Sequence, residues 1–209
     1  MKKLKITFFE IEPWEMDYLK PRLKGFDLAF FEEKITTKEI KKISGVDILS
    51  PFIYSVVDKK FINSLESLKY IATRSTGFDH IDLKTCQKKN ILVSNVPTYG
   101  ENTVAEHTFA LILALSRKIC FSWERTKLGD FSLENLRGFD LKGKVLGVAG
   151  TGNIGRHVIR IAKGFEMNVL AFDIKKDQKF AKKIGFKYVS LDNLFKNSDI
   201  ITLHAPYNK

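Results

Sequence analysis

Cysteine and long apolar runs are both scarce in this sequence. Its 209 residues include only two cysteines, Cys86 and Cys120, with neither the spacing of metal ligands nor the density of a disulfide framework. No apolar run is long enough to span a membrane, and the one near the N-terminus stops at Glu10, too early for a signal peptide. These absences exclude a disulfide-stabilised domain, predict no metal site and no membrane partner, and favour a reducing, cytoplasmic location.

Arginine is scarce for a protein this basic. The formal net charge is +11, yet lysines outnumber arginines 28 to 7. Recognition of nucleic acids relies on arginine forks, whereas lysines spread along a chain are typical of solvated surfaces. The densest patch, with six lysines from Lys175 to Lys187, is better explained as a solvated helix face than as a nucleic-acid site. The sequence therefore predicts no nucleic-acid partner.

Short strands alternate with helices along the first hundred residues, the pattern of an α/β layer fold. We expect strands at 4–9, 27–30, 46–49, 70–73 and 91–94. We expect helices at 14–23, 37–43, 60–68 and 83–89. No repeat or low-complexity linker interrupts this pattern.

A long apolar helix is predicted over residues 104–120. Thr103 and Glu106 have the spacing of a capping box at its start. Because this segment carries little polar surface, we expect it to be buried on most sides, as a bridge between domains or at a subunit contact. A second α/β region follows, with strands expected at 145–149, 169–172, 187–190 and 200–204. The sequence thus predicts two domains, 1–100 and 101–209.

The second region contains a glycine turn between a strand and a helix. Gly150-Thr151-Gly152-Asn153-Ile154-Gly155 follows the apolar run 145–149 and opens a helix expected over 153–163. Gly150 makes the turn, Gly152 lets a pyrophosphate approach the backbone, and Gly155 allows the helix to pack against the strand. The first helical amides and the helix dipole would face the phosphates. Such a turn is weak evidence alone and much stronger between a strand and a helix.

Asp173 completes this pattern. It ends the next apolar run, 18 residues after Gly155, where a carboxylate accepts hydrogen bonds from the adenosine ribose. A carboxylate there repels the extra phosphate of NADP, which favours NAD, although Lys175 and Lys176 weakly favour the opposite. The alternative is a tight βαβ turn in which Asp173 merely caps a strand.

Three stretches together resemble the D-isomer-specific 2-hydroxyacid dehydrogenase family, most closely its D-lactate dehydrogenase branch. They are Ala72–Leu83 (ATRSTGFDHIDL), Asn95–His107 (NVPTYGENTVAEH) and Gly143–Asp173. The likeness covers essentially the whole chain. It implies a flavodoxin-like substrate domain followed by a partial Rossmann domain with a doubly wound parallel sheet, and NAD as the cofactor.

The resemblance also implies roles for individual residues. The family's substrate loop corresponds to Ser75, Thr76 and Gly77, whose amides would hold the substrate carboxylate, and Tyr99 corresponds to a tyrosine directed at the substrate. Without the resemblance, a plain turn and a loop aromatic are the simpler explanations. Positions that border the bound NAD correspond to Thr103, Val104, Gly150, Gly152, Asn153, Ile154, Gly155, Asp173, His204 and Pro206.

The family's catalytic arginine, its acid–base histidine and the glutamate that orients this histidine follow the His-x-Pro element, here His204-Ala205-Pro206. We therefore expect no catalytic residue within the 209 residues and interpret them as a truncated, inactive dehydrogenase for a 2-keto or 2-hydroxy acid. The alternative is a non-catalytic NAD-binding sensor or interaction module. The family resemblance also implies a homodimer through the long helix, which a truncation would make doubtful.

Overall fold

The computed structural model describes residues 3–36 and 43–205. The chain divides into two compact units, Met1–Tyr99 and Gly100–Lys209, called the N-terminal and C-terminal units below. The helix expected at 37–43 and Pro206 fall outside the described residues, except for Ile43. Along the described ranges, no helix is both long and apolar enough to cross a membrane.

The N-terminal unit is built on a parallel sheet. Its strands are β1 (Lys5–Phe9), β2 (Asp27–Phe31), β3 (Ile48–Ser50), β4 (Tyr70–Ala72) and β5 (Leu92–Ser94), and its helices are α1 (Pro13–Leu19), α2 (Lys59–Asn63) and α3 (Leu83–Lys88). The strand order is β2-β1-β3-β4-β5, with all neighbours parallel. This 2-1-3-4-5 order is that of flavodoxin-like folds, so the predicted fold of this unit is confirmed.

The C-terminal unit starts with two helices, α4 (Glu101–Ser116) and α5 (Ile119–Lys127). Its remaining elements are β6 (Val145–Ala149), α6 (Asn153–Gly164), β7 (Asn168–Phe172), α7 (Gln178–Ile184), β8 (Lys187–Tyr188), α8 (Leu191–Asn197) and β9 (Ile200–Leu203). The parallel sheet has the order β8-β7-β6-β9. These are strands 3-2-1-4 of the doubly wound arrangement, in agreement with the partial Rossmann domain that the resemblance implied.

Apolar strands buried on both faces explain the two cores. Four of the five β6 residues are buried, as expected for a parallel strand covered by helices on both sides. Val158, Ile159 and Ala162 of α6 pack in the same core as Leu146 and Val148. In the N-terminal unit, Phe rings stack between neighbouring strands, Phe8 on Phe30 and Phe9 on Phe31.

The predicted helix ends were partly wrong. Helix α1 ends at Leu19, before Pro21, because proline removes a backbone donor and clashes with the preceding turn. Helix α4 begins at Glu101 with Gly100 as its N-cap and no side-chain cap. The capping box of Thr103 and Glu106 is therefore absent, because Thr103 already lies inside the helix and Glu106 accepts a hydrogen bond from Asn102.

Within this single chain, the long helix is interrupted and is buried on one side only. The chain breaks it at Lys118, which has a positive φ of 57° between α4 and α5. Residues Ala105, Phe109, Ile112 and Ser116 form the buried side of α4. Leu111 and Leu115 are exposed although they are apolar. An apolar composition alone does not say how many sides of a helix are covered.

Candidate functional site

The glycine turn joins β6 to α6 in a conformation that only glycine fits at two positions. Gly150 has a φ of +93°, and a Cβ atom there would lie 2.5 Å from the carbonyl oxygen of His204. At Gly155 a Cβ atom would collide with the carbonyl oxygen of Gly150. The turn therefore packs tightly against β9 on one side and against α6 on the other, because no side chain separates the backbones.

Gly152 differs from these two glycines because its open side faces empty space. No heavy atom lies within 4 Å of a Cβ atom built there, and its backbone is ordinary for any residue. It is the N-cap of α6, and no side chain caps the helix. The first helical amides are left without intrahelical acceptors and, with the helix dipole, attract an anion. The turn fits a diphosphate group.

Asp173 lies directly after β7 and is half-buried beside this turn. Its Oδ2 atom accepts hydrogen bonds from the backbone amide of Thr151, at 2.6 Å, and from the Thr151 hydroxyl, at 2.9 Å. Its Oδ1 atom accepts from the amide of Lys175, at 2.8 Å. A carboxylate offers about four acceptor positions, so Oδ1 is the oxygen that still has room for a ribose hydroxyl.

These hydrogen bonds keep Asp173 ionised. Burial raises the pKa of Asp173, but the amide of Lys175 and both donors of Thr151 favour the carboxylate, and the net result is a pKa below its usual value. At neutral pH the group is therefore negatively charged and accepts hydrogen bonds only. A second phosphate on the ribose would be repelled by this charge.

The sequence analysis missed two residues of this arrangement, Thr151 and Tyr188. The Tyr188 hydroxyl lies 2.9 Å from the Thr151 hydroxyl and also accepts a hydrogen bond from the amide of Asp177 at 3.2 Å. Thr151 occupies a variable position between two glycines, and Tyr188 follows the turn by more than thirty residues. No local pattern signals either residue, because only the neighbouring positions of β6, β7 and β8 bring them together.

The start of α4 lies beside the glycine turn. The side-chain amide of Asn153 donates to the Glu101 carboxylate at 3.0 Å, which joins the first turns of α4 and α6. Thr103 and Val104, both exposed, belong to that first turn of α4. The structure thus brings these two candidate residues to the same end of the C-terminal unit as Gly152 and Asn153. Ile154, the next residue of α6, is half-buried and packs against the core.

His204 follows β9 on the other side of the turn. Its amide donates to the carbonyl oxygen of Ala149 at 2.7 Å. Its Nε2 atom is buried and has no hydrogen-bond partner among residues 3–36 and 43–205. Burial lowers the pKa of His204, so the ring is neutral at physiological pH.

The N-terminal unit carries the candidate substrate loop after β4. The buried Ser75 hydroxyl donates to the carbonyl oxygen of Gly77 at 2.7 Å and contacts the Thr73 hydroxyl. The carbonyl oxygens of Ser75 and Thr76 accept from Val96 and Asn95. The amides of Thr76 and Gly77 donate to no acceptor in the part of the chain that the structure describes. A fixed loop at two exposed residues, whose amides have no acceptor within the described residues, is suited to bind a carboxylate.

Arg74, directly before this loop, is bonded to the ends of β1 and β3, and Glu10 holds the segment that follows β3. The Arg74 guanidinium donates to the carbonyl oxygens of Phe9, Glu10 and Ser50 and forms an ion pair with Glu15 at 3.2 Å. Glu10 has a positive φ of 54°. Its carboxylate accepts hydrogen bonds from three amides, those of Phe52, Tyr54 and Ser55. Sequence reasoning missed both residues, because their partners are up to 65 positions away.

Tyr99 is the last N-terminal candidate, and His80, which the sequence did not single out, lies next to the loop. His80 Nε2 lies 3.3 Å from the Thr73 hydroxyl, so it supports the loop. Desolvation lowers the pKa of His80, although Asp79 and Glu10 partly oppose this effect. Tyr99 is exposed and is the last residue of its unit. Ser75, Thr76, Gly77 and Tyr99 thus belong to one unit, and the described cofactor candidates belong to the other.

Comparisons with known proteins point to one family. Residues 109–209 match the profile of the NAD binding domain of D-isomer specific 2-hydroxyacid dehydrogenases. The D-lactate dehydrogenase of Escherichia coli (strain K12) is 36% identical over 207 residues, which are 97% of this chain and 63% of that protein. The glyoxylate reductase of Thermococcus litoralis is 33% identical over 210 residues, covering 97% of this chain and 59% of that protein.

A solved structure shows the same fold. The D-lactate dehydrogenase from Aquifex aeolicus, complexed with NAD and lactic acid, is 36% identical and superimposes with a TM-score of 0.90. The match covers 97% of this chain and 61% of that one. The chain thus spans about three fifths of the length of these relatives.

Proposed function

The chain belongs to the D-isomer-specific 2-hydroxyacid dehydrogenase family, and we propose that it serves in the NAD-dependent reduction of a 2-keto acid to the D-2-hydroxy acid. NAD is the coenzyme of this family. One observation carries the proposal: the uncapped N-terminus of α6, the open side of Gly152 and the Asp173 carboxylate lie around one turn. This arrangement suits a diphosphate linked to a ribose.

The chain's own residues divide the binding of NAD between them. The turn from Gly150 to Gly155 holds the diphosphate, and Oδ1 of Asp173 accepts a hydrogen bond from the adenosine ribose. Thr103 and Val104 are proposed to line the nicotinamide side. His204 follows β9 next to Gly150, and the family resemblance implies that His204 and Pro206 border the coenzyme. When bound, the coenzyme supplies the hydride; these residues orient it.

The substrate is proposed to bind through its carboxylate. The free amides of Thr76 and Gly77 provide the donors, and Ser75 keeps the loop in shape through its bond to the Gly77 carbonyl oxygen. Tyr99 is proposed to direct its hydroxyl at the substrate. Pyruvate is the substrate we favour, in line with the D-lactate dehydrogenases among the relatives.

The family resemblance assigns proton transfer to an arginine, a histidine and a glutamate that follow the His-x-Pro element. We propose that the 209 residues supply binding and orientation, whereas proton transfer depends on those further groups. The alternative of a sensor without turnover is not favoured, because a pure NAD sensor has no use for the exposed amides of Thr76 and Gly77. We also propose a cytoplasmic location, since Cys86 and Cys120 are both free thiols.

A homodimer through α4 and α5 is part of the proposal. Large apolar side chains are exposed on these helices and on the segment after them; they are Leu111, Leu115, Ile119, Phe121, Trp123, Leu128, Phe131 and Leu133. We call these residues the α4–α5 face. Eight large apolar side chains exposed between Leu111 and Leu133 favour an interface between proteins.

Titration calorimetry with NADH, NADPH and ADP-ribose tests the proposal on the purified chain. We expect NADH and ADP-ribose to bind and NADPH to bind more weakly. Asp173→Ala should weaken NADH binding on the order of tenfold, because a hydrogen bond to a charged group is lost. Asp192→Ala, on α8, is the matched control and should leave the affinity unchanged. Failure to bind NADH, or tighter binding of NADPH, contradicts the proposal.

A further inference from the structure

Two loops and one strand of the C-terminal unit are joined by one chain of hydrogen bonds: the glycine turn, the connection between β7 and α7, and β8. It runs from the amide of Asp177, before α7, to the Tyr188 hydroxyl on β8, then to the Thr151 hydroxyl in the glycine turn, and ends at Oδ2 of Asp173. The distances are 3.2, 2.9 and 2.9 Å. Of these side chains, only that of Asp173 is expected to touch the coenzyme.

The direction of every bond in this chain is determined by its ends. An ionised carboxylate only accepts, so the Thr151 hydroxyl gives its single proton to Asp173. The Tyr188 hydroxyl must then donate to the oxygen of Thr151. Its own oxygen accepts from the Asp177 amide, which can only donate. Since all donors point the same way, each bond polarises the next and strengthens it.

This chain of hydrogen bonds orients the Asp173 carboxylate. Oδ2 is held by two donors of Thr151, one of them the backbone amide of the turn itself. This leaves Oδ1 as the oxygen available to a ribose. A carboxylate that is free to rotate would have to be ordered when the ligand binds, at a cost in side-chain entropy.

Asp177, at the other end of this chain of hydrogen bonds, is also fixed in position. Asp177 is the N-cap of α7, where it accepts from the amide of Phe180, and it pairs with Arg156 of α6 at 2.8 Å. The rings of Phe186 and Tyr188 pack edge to face, 5.2 Å between centroids. A phenylalanine at 188 would keep this ring contact, so the hydroxyl can be removed without opening a cavity.

We propose that Tyr188 is a positioning residue for NAD, which acts through Thr151 to fix the Asp173 carboxylate for the adenosine ribose. The inference rests on the proposed placement of the ribose at Asp173. It assigns to the coenzyme site a residue that lies outside the glycine turn and the strand that follows it.

The first test compares Tyr188→Phe with Tyr70→Phe. Tyr70 is also half-buried with its hydroxyl on a neighbouring hydroxyl, that of Ser94, but it belongs to the N-terminal unit. We expect Tyr188→Phe to weaken NADH binding about threefold to tenfold, the value of one hydrogen bond. Tyr70→Phe should leave the affinity unchanged. Equal affinities of the wild type and Tyr188→Phe overturn the inference.

The second test asks whether the effect passes through Thr151 and Asp173. Thr151→Ser keeps the hydroxyl and should retain NADH affinity, whereas Thr151→Val removes it at the same size and should weaken binding as Tyr188→Phe does. In an Asp173→Ala background, Tyr188→Phe should have no further effect, because coupled residues are not additive. A full additional loss in that background shows a merely structural role and overturns the inference.

The third test needs no coenzyme. The pKa of Asp173 can be followed by carbon NMR on protein labelled in its aspartate carboxyls. We expect this pKa to rise in Thr151→Val and, by less, in Tyr188→Phe, because the donors that favour the carboxylate are lost or weakened. An unchanged pKa in both variants overturns the inference even if NADH binds. A wild type that binds no NADH contradicts the proposed function, while this titration still decides whether Tyr188 acts on Asp173.

Discussion

The backbone of His204 lies against Gly150 so closely that no side chain fits between them. A Cβ atom at Gly150 would be 2.5 Å from the His204 carbonyl oxygen, and the φ of +93° is itself unfavourable for other residues. This contact joins the glycine turn to the end of β9, the strand beside β6. The turn is therefore fixed by the sheet and not only by its own sequence.

Gly150→Ala should destabilise the C-terminal unit. The variant adds backbone strain of about 1–2 kcal/mol. Its methyl group also collides with main-chain atoms of His204, which can move only together with the end of β9. Thermal unfolding followed by circular dichroism measures the effect. Gly164→Ala is the control, because a Cβ atom there meets nothing within 4 Å; it should leave stability unchanged or raise it slightly. Equal stability of the two variants would show that the end of β9 moves to accommodate the methyl group.

Gly152→Ala should weaken the binding of NADH without affecting the folding of the C-terminal unit. Nothing lies within 4 Å of the new methyl group, and the backbone conformation suits alanine. We expect normal thermal stability but NADH affinity reduced on the order of tenfold or more, since the methyl group occupies the space proposed for the diphosphate. Affinity close to that of the wild type would place the diphosphate elsewhere.

Arg74→Met should destabilise the N-terminal unit by about 3 kcal/mol. It removes the donor to one oxygen of the half-buried Glu15 carboxylate and to three carbonyl oxygens. The side chains of Arg74 and Glu15 are 19% and 20% exposed. Arg117→Met is the control, since the Arg117–Asp140 pair is 57% and 85% exposed and such pairs contribute little. Denaturant unfolding compares the two. Similar midpoints for both variants would contradict the anchoring role of Arg74.

Leu115→Glu should weaken self-association. Leu115 is 73% exposed on the α4–α5 face, and a charge there would have to be buried in the proposed dimer. Leu92→Glu, in the N-terminal unit at 71% exposure, is the matched control. Sedimentation velocity over a range of concentrations measures the result. A wild type that stays monomeric at all concentrations would exclude this dimer.

Acidification below pH 6.5 should destabilise the C-terminal unit through His204. Its folded pKa is lower than the usual value of 6.5, because burial disfavours the charged ring. The unfolded chain therefore takes up the proton first as the pH falls, so stability is complete above 6.5 and is lost below it. In His204→Gln the unfolding temperature should fall less steeply with acidification than in the wild type and in His157→Gln. Parallel curves would show that the ring is not desolvated.

The sequence by itself determined both parallel sheets and the glycine turn. Buried strands of both units are nearly continuous apolar runs, and the spacing from Gly150 to Asp173 belongs to a strand–turn–helix–strand unit whose geometry is local. The α/β class follows from such local patterns, whereas the flavodoxin-like and Rossmann folds were implied by the family resemblance.

Tertiary structure alone decided which residues support these local features. Glu10 and Arg74 have partners from strands far apart in the chain, and Tyr188 reaches Thr151 only because β8 lies next to β7 and β7 next to β6. The sequence likewise did not predict which side of α4 is exposed, because an apolar composition does not tell which neighbouring elements cover a helix. Hydrogen bonds over long sequence separations depend on three-dimensional proximity, and no local pattern of residues encodes it.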